Sequence, residues 1–118
     1  MNNKGRSYRF RGDVVNYLRA AGFTKARART ETRVLSAELR DARDTGDIIG
    51  LCPWTLAVRS GQSIDLSGAM NEVKGEAERA GSSLFASIQL RRAHPASEAY
   101  VTMPLHVFTQ VLAQTEAP

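Results

Sequence analysis

Two short stretches, GDIIGL at 46–51 and WTLAVR at 54–59, hold the residues of this 118-residue chain whose types and spacing bear most directly on chemistry. Cleaving a phosphodiester with a divalent cation takes carboxylates that hold the cation beside the scissile phosphate. It also takes a cationic side chain to position the attacking water or stabilise developing charge. One compact arrangement sets an Asp at the start of one strand and an acid-x-Lys on the adjacent strand, where a period of two puts acid and Lys on one face. Asp47 fits the first position. Ala57-Val58-Arg59 stands where the second would be, with a methyl in place of the carboxylate and a guanidinium in place of the amine. Arginine offers donors only and stays protonated, so it neither ligates a metal nor serves as a base, yet it binds phosphate well.

The elements that would position these residues follow from periodicity. Phe10, Val14, Leu18 and Ala21 recur at helical spacing and Gly22 follows, which predicts a helix over Phe10 to Ala21. FTKARARTETRV at 23–34 alternates with a period of two and predicts a strand with an Arg-rich face. SAELRDARDTG at 36–46 suits either a helical turn or a mobile loop. Asp47–Leu51 and Trp54–Arg59 read as adjacent strands joined by a tight turn at Cys52-Pro53. Leu66, Ala69, Met70, Val73, Ala77 and Ala80 step by three and four, and Gly81 closes a second helix. Leu84–Leu90 and Ala99–Met103 read as strands linked by RRAHPASE, and Pro104 fits the first position of a last helix carrying Leu105, Phe108 and Leu112. A basic arm at 1–9 and a frayed tail at 113–118 flank a single domain. A helix between two strands of one sheet implies a crossover, so the expected fold class is α/β, a mixed central sheet flanked by helices.

Composition sets the surroundings. A hydrophobic fraction of 42% supplies a core that needs neither metal nor disulfide, and the lone Cys52 has no intramolecular partner. No Cys/His cluster has zinc spacing, no apolar run approaches the roughly 18 residues of a membrane span, and MNNKGRSYRF lacks the apolar core of a signal peptide. A soluble, cytoplasmic protein without a membrane partner is expected. Residues 1–43 hold eleven Lys or Arg against four acids, while 44–118 hold five against eight. That asymmetry favours a polyanion partner for the front third, against the alternative of a merely solvated surface.

Beyond these local readings, the chain resembles the small PD-(D/E)XK nucleases similar to archaeal and phage Holliday junction resolvases, especially a group found in actinobacteria and their phages. The resemblance rests on Gly5 and Tyr8, YLRAAGF at 17–23, GDIIGL, WTLAV, NEVKGEAERAG, a strand ending in Arg91-Arg92, and YVTMPLHVF at 100–108. It implies a restriction endonuclease-like core, a homodimer gripping branched DNA, cleavage with Mg or Mn, and a bacterial or phage-infected host cell. The departures fall on the chemistry: the acid-x-Lys matches Ala57-Val58-Arg59, and the helix-one Glu matches Arg11 after Phe10, leaving Asp47 of the four catalytic positions. The resemblance thus points to a degenerate nuclease that binds DNA through Lys4, Arg6, Arg9, Arg11, Arg27, Arg29, Arg33, Arg59, Arg91 and Arg92 and needs no cofactor.

Two alternatives stay open: an active Mg- or Mn-dependent endonuclease with a relocated carboxylate, and a module that pairs with another protein. Glu72-Val73-Lys74 spells acid-x-Lys, but on a helix residues two apart point about 200° apart, so the pair suits a solvated face. Glu72, Glu76 or Asp13 remains eligible as a relocated metal ligand beside Asp47. His94 reads as a loop residue and His106 as a surface residue with no evident partner. Trp54 reads as a core or dimer contact rather than a stacking platform for bases.

Overall fold

A computed structural model describes residues 3–29, 46–61 and 65–115, with side chains from Arg9 onward. Helix α1 spans Asn3–Ala20 and buries Phe10, Val14 and Val15. Residues 3–9, expected as an arm, are its first turns: once the apolar stripe seeds the helix, the polar residues before it extend it at small propensity cost. Its end is a left-handed cap at Gly22 (φ 113°), where Gly22 N–H donates to the Arg19 carbonyl at 3.1 Å and Phe23 N–H to the Leu18 carbonyl at 3.0 Å.

Strand β1 is only Arg27–Ala28, shorter than the alternation of 23–34 suggested. The remainder of that stretch from Thr30, and the 36–45 part of the ambiguous segment, lie outside the described residues. Strands β2 (Ile48–Ile49) and β3 (Trp54–Arg59) are the expected antiparallel pair, with Ile48 opposite Leu56. The turn between them closes with Trp54 N–H on the Leu51 carbonyl at 2.9 Å, and the Cys52-Pro53 peptide bond is cis. Helix α2 runs Leu66–Ala80 as expected, capped by Asp65, which accepts the Gly68 N–H at 3.0 Å, and ended by left-handed Gly81. Strand β4 (Leu84–Gln89) lies parallel to β3 over six residue pairs, from Trp54 with Leu84 to Arg59 with Gln89. A 3-10 turn, Ala96–Glu98, precedes strand β5 (Tyr100–Thr102), antiparallel to β4. Helix α3 spans Leu105–Thr115, so residues 113–115 of the expected tail are helical, and Pro104 stands just before it, its carbonyl accepting from Val107 and Phe108.

Among the described residues the fold is therefore mixed α/β: a five-stranded sheet in the order β1-β2-β3-β4-β5 with three α-helices. Alternation along the strands divides the core in two. Ile48, Leu56, Ala86 and Ile88 pack under Phe10, Val14 and Val15 of α1, while Ala57 and Phe85 pack with Val73 and Ala77 of α2 and Val107 of α3. Trp54, half-buried at the start of β3, touches both clusters, as a core residue should.

Gly50 closes the end of β2 with φ 88°, and a Cβ there would run into the Lys25 carbonyl. Gly22 is equally left-handed but faces open space. Gly50→Ala should lower unfolding free energy by at least about 2 kcal/mol and Gly22→Ala by about 1 kcal/mol, the latter from backbone strain alone. Urea titration checks the ranking, and equal losses would show that the contact at Lys25 relaxes freely.

Candidate functional site

Residues of β3 facing α2 are Thr55, Ala57 and Arg59, and those of β4 in register with the last two are Ser87 and Gln89. Ala57 is 2% exposed beneath α2, so its methyl is sealed in apolar packing. Two residues on, Arg59 leaves that packing and reaches along the same face.

Asp47 is fixed before Arg59 meets it. Its N–H donates to the Leu56 carbonyl at 2.8 Å, and its carbonyl accepts the Arg29 N–H at 2.9 Å, so the main chain is held from both neighbouring strands. Because β2 is only two residues long, the Val58 N–H runs past its end and donates to Asp47 Oδ2 at 2.8 Å. A carboxylate thereby satisfies a backbone donor at the sheet end. The same oxygen faces Arg59 Nη1 at 3.4 Å, and Nη1 also donates to the Val58 carbonyl at 3.1 Å. The other terminal nitrogen, Nη2, pairs with Glu72 Oε2 from α2. One guanidinium thus bridges an acid at the start of β2 and an acid on the crossover helix. Asp47 and Arg59 side chains are about a third exposed, at 33% and 31%, and Glu72 is 66% exposed, so solvent screens the outer pair more than the inner.

Placement of the other sequence candidates is uneven. Arg11 sits next to buried Phe10 on α1, which covers the face opposite Ala57, and Asp13 is exposed on that same helix. Glu76 lies one turn beyond Glu72, half-buried, with Oε2 shielded from solvent and lacking a hydrogen-bond partner among the described residues. Lys74 is exposed and contributes nothing to the Glu72 pair. Arg9 is exposed on α1, while Arg27 is half-buried on the adjoining β1 with Nη1 on the Lys25 carbonyl at 3.2 Å, and Arg29 is exposed just after it. Lys4 and Arg6 belong to α1 by backbone, and Arg33 lies outside the described residues.

On the far side of the sheet, Arg91 is engaged twice, with Glu98 at 3.9 Å and over the Tyr100 ring at 5.1 Å, and Arg92 is exposed beside it. His94 lies 3.6 Å from Glu98 in the same loop. His106, read from sequence as lacking a partner, packs its ring edge against Phe85 at 6.0 Å between centroids. Cys52 is half-buried at the β2–β3 turn.

A divalent cation at this site would depend on Asp47 and Glu72, and both are turned to Arg59. Among the described residues no group of three or more His, Cys, Asp or Glu is placed to hold a metal ion. As they stand, both carboxylates are engaged by the Arg59 guanidinium, which offers donors only. Sequence reasoning singled out Asp47 and Arg59 and read Glu72 as a solvated residue or a relocated metal ligand; its pairing with Arg59 depends on how α2 lies over β3, for which a helical pattern carries no signal. None of the described helices is long and apolar enough to cross a membrane. In comparisons with family models, curated proteins and solved structures, none matches this chain.

The inner contact should matter more to stability than the ion pair. Asp47→Ala strands the Val58 N–H and should cost about 1–3 kcal/mol. Arg59→Met should cost under about 1 kcal/mol, since both its partners are partly exposed. Chemical denaturation of the two variants checks this, and the reverse order would make the guanidinium the site's structural support.

Proposed function

We propose that the chain is a DNA-binding protein related in architecture to Holliday junction resolvases, with a degenerate catalytic centre and a guanidinium in the place of a metal. The observation that carries this reading is Arg59: it stands on the strand next to Asp47, two residues beyond a sealed methyl, and its charge is already directed at both carboxylates. The element order, with a parallel β3–β4 pair joined through α2 behind a leading helix and hairpin, supports a restriction endonuclease-like core. Arg9 and Arg11 on α1, Arg27 on the adjoining β1 and Arg29 just after it supply positive charge for backbone phosphates. In this role no cofactor takes part, and the protein holds DNA without cutting it.

Glu72 gives one second reading a footing. Its carboxylate reaches the same guanidinium as Asp47, so with Arg59 swung aside the two acids would serve as a relocated pair for Mg or Mn in an active endonuclease. The exposed apolar stripe of Leu105, Phe108 and Leu112 along α3 supports a further element of the proposal, a homodimer or a protein partner.

Four-way and linear DNA, tested with Mg, Mn or chelator, separate the readings. The expected result is binding that persists in chelator and weakens with salt by about 0.9 log unit per phosphate contact per log unit of salt. The DNA should stay intact at stoichiometric protein. Divalent-dependent cleavage abolished by both Asp47→Asn and Glu72→Gln would replace the first reading with the second. Absence of binding to every DNA form would exclude both and leave the protein-interaction role.

A further inference from the structure

The two acids around Arg59 are held in different ways. Asp47 is aimed by the backbone, through the Val58 N–H at 2.8 Å and its own main-chain bonds on either side. Glu72 stands 66% exposed on α2, and the contact recorded for its carboxylate is Arg59 Nη2. With Arg59, Asp65 and Gln89 it lines a cleft of about 170 Å³ beside the N-terminal turns of α2. Gln89 is buried there and donates its amide to the Gly61 carbonyl at 3.0 Å, and among the described residues that line the cleft Arg59 is the cationic one. A carboxylate offers a guanidinium two anionic oxygens in the same fork geometry that a phosphate offers.

We propose that Glu72 is an intramolecular competitor for phosphate, occupying the Nη2 side of Arg59 until a phosphate of a bound polyanion displaces it. This rests on the DNA-binding reading above and adds its regulation. Asp47 keeps the guanidinium aimed throughout, because its own position depends on the strand and not on the ion pair. Glu72 can leave, because an exposed helical side chain regains rotamer freedom and hydration when it lets go. A single phosphate therefore competes poorly, and Arg59 engages only when contacts elsewhere on the protein hold the polyanion in place. The acid makes the site selective against weak, isolated anions.

Glu72→Gln, Glu78→Gln, Arg59→Gln and the Arg59→Gln/Glu72→Gln double variant test this, with duplex DNA affinity measured by fluorescence anisotropy across a salt series. Glu78 is exposed on the same helix, about 240° around from Glu72, and reports the generic effect of losing one negative charge. Glu72→Gln should tighten binding about two- to fivefold at low salt, the scale of an exposed ion pair. It should also steepen the log-log salt slope by about 0.9, one additional phosphate contact. Glu78→Gln should leave that slope unchanged, and the double variant should bind no tighter than Arg59→Gln. A Glu72→Gln slope equal to that of Glu78→Gln, or a gain that survives without Arg59, would overturn the competitor role. Should none of the proteins bind DNA, the DNA-binding reading fails, and inorganic tripolyphosphate decides the competitor role separately. Followed at the Arg59 Nε–Hε resonance, saturation at lower concentration in Glu72→Gln supports the competitor role, whereas titrations identical to the parent overturn it.

Discussion

Everything at the site depends on β3 being covered on both faces while paired on both edges. A strand in that position has no free side: its period of two must send Leu56 and Val58 toward α1 and Thr55, Ala57 and Arg59 toward α2. The parallel partner β4 makes the register strict, because a slip of β3 by one residue would turn Arg59 into the apolar layer under α1 and Leu56 out of it. Placing an arginine next to Asp47 is thus a consequence of core packing rather than of the ion pair itself, which solvent screens too strongly to direct the fold.

Much of this frame was legible in the sequence for identifiable reasons. Helix α2 falls on Leu66–Ala80 because its apolar residues step by three and four, and a glycine stands where a left-handed cap is needed. The β2–β3 pair was legible because Pro53 interrupts two apolar runs that are otherwise continuous. Elsewhere the local signal misled. Alternation from Phe23 to Val34 suggested a long strand, whereas among the described residues up to Arg29 only Arg27–Ala28 pairs, the rest of that stretch lying outside them. Helix α1 begins at Asn3 although its first residues show no apolar period, because a nucleated helix extends through any sequence that does not forbid it. The 3-10 turn at 96–98 lay inside what read as a polar loop.

The candidate site was half legible. Asp47 and Arg59 belong to strands whose faces follow from alternation, so their proximity could be read from the sequence. Glu72 belongs to a helix, and its azimuth relative to Arg59 is set by how Val73 and Ala77 seat against Ala57 and Phe85. That seating is tertiary, and no pattern within NEVKGE distinguishes a glutamate facing water from one facing water and an arginine. Arg11 was placed only through the resemblance, as the match to a helix-one Glu, and it lies on α1, whose buried stripe packs on the sheet face opposite Ala57.

The closure of packing over Ala57 bears on how such a site could change. A buried carboxylate at 57 would need a cation or several donors to offset its desolvation, and it would have to displace the contacts Ala57 now makes with Val73 and Ala77. With alanine at 57 that requirement does not arise, and the Arg59 guanidinium faces Asp47 from the same strand. An arginine supplied by the chain is present at fixed stoichiometry and brings donors matched to both carboxylates and phosphates. The result is one guanidinium between two acids of unequal freedom, Asp47 tied to the Val58 N–H and Glu72 exposed on α2.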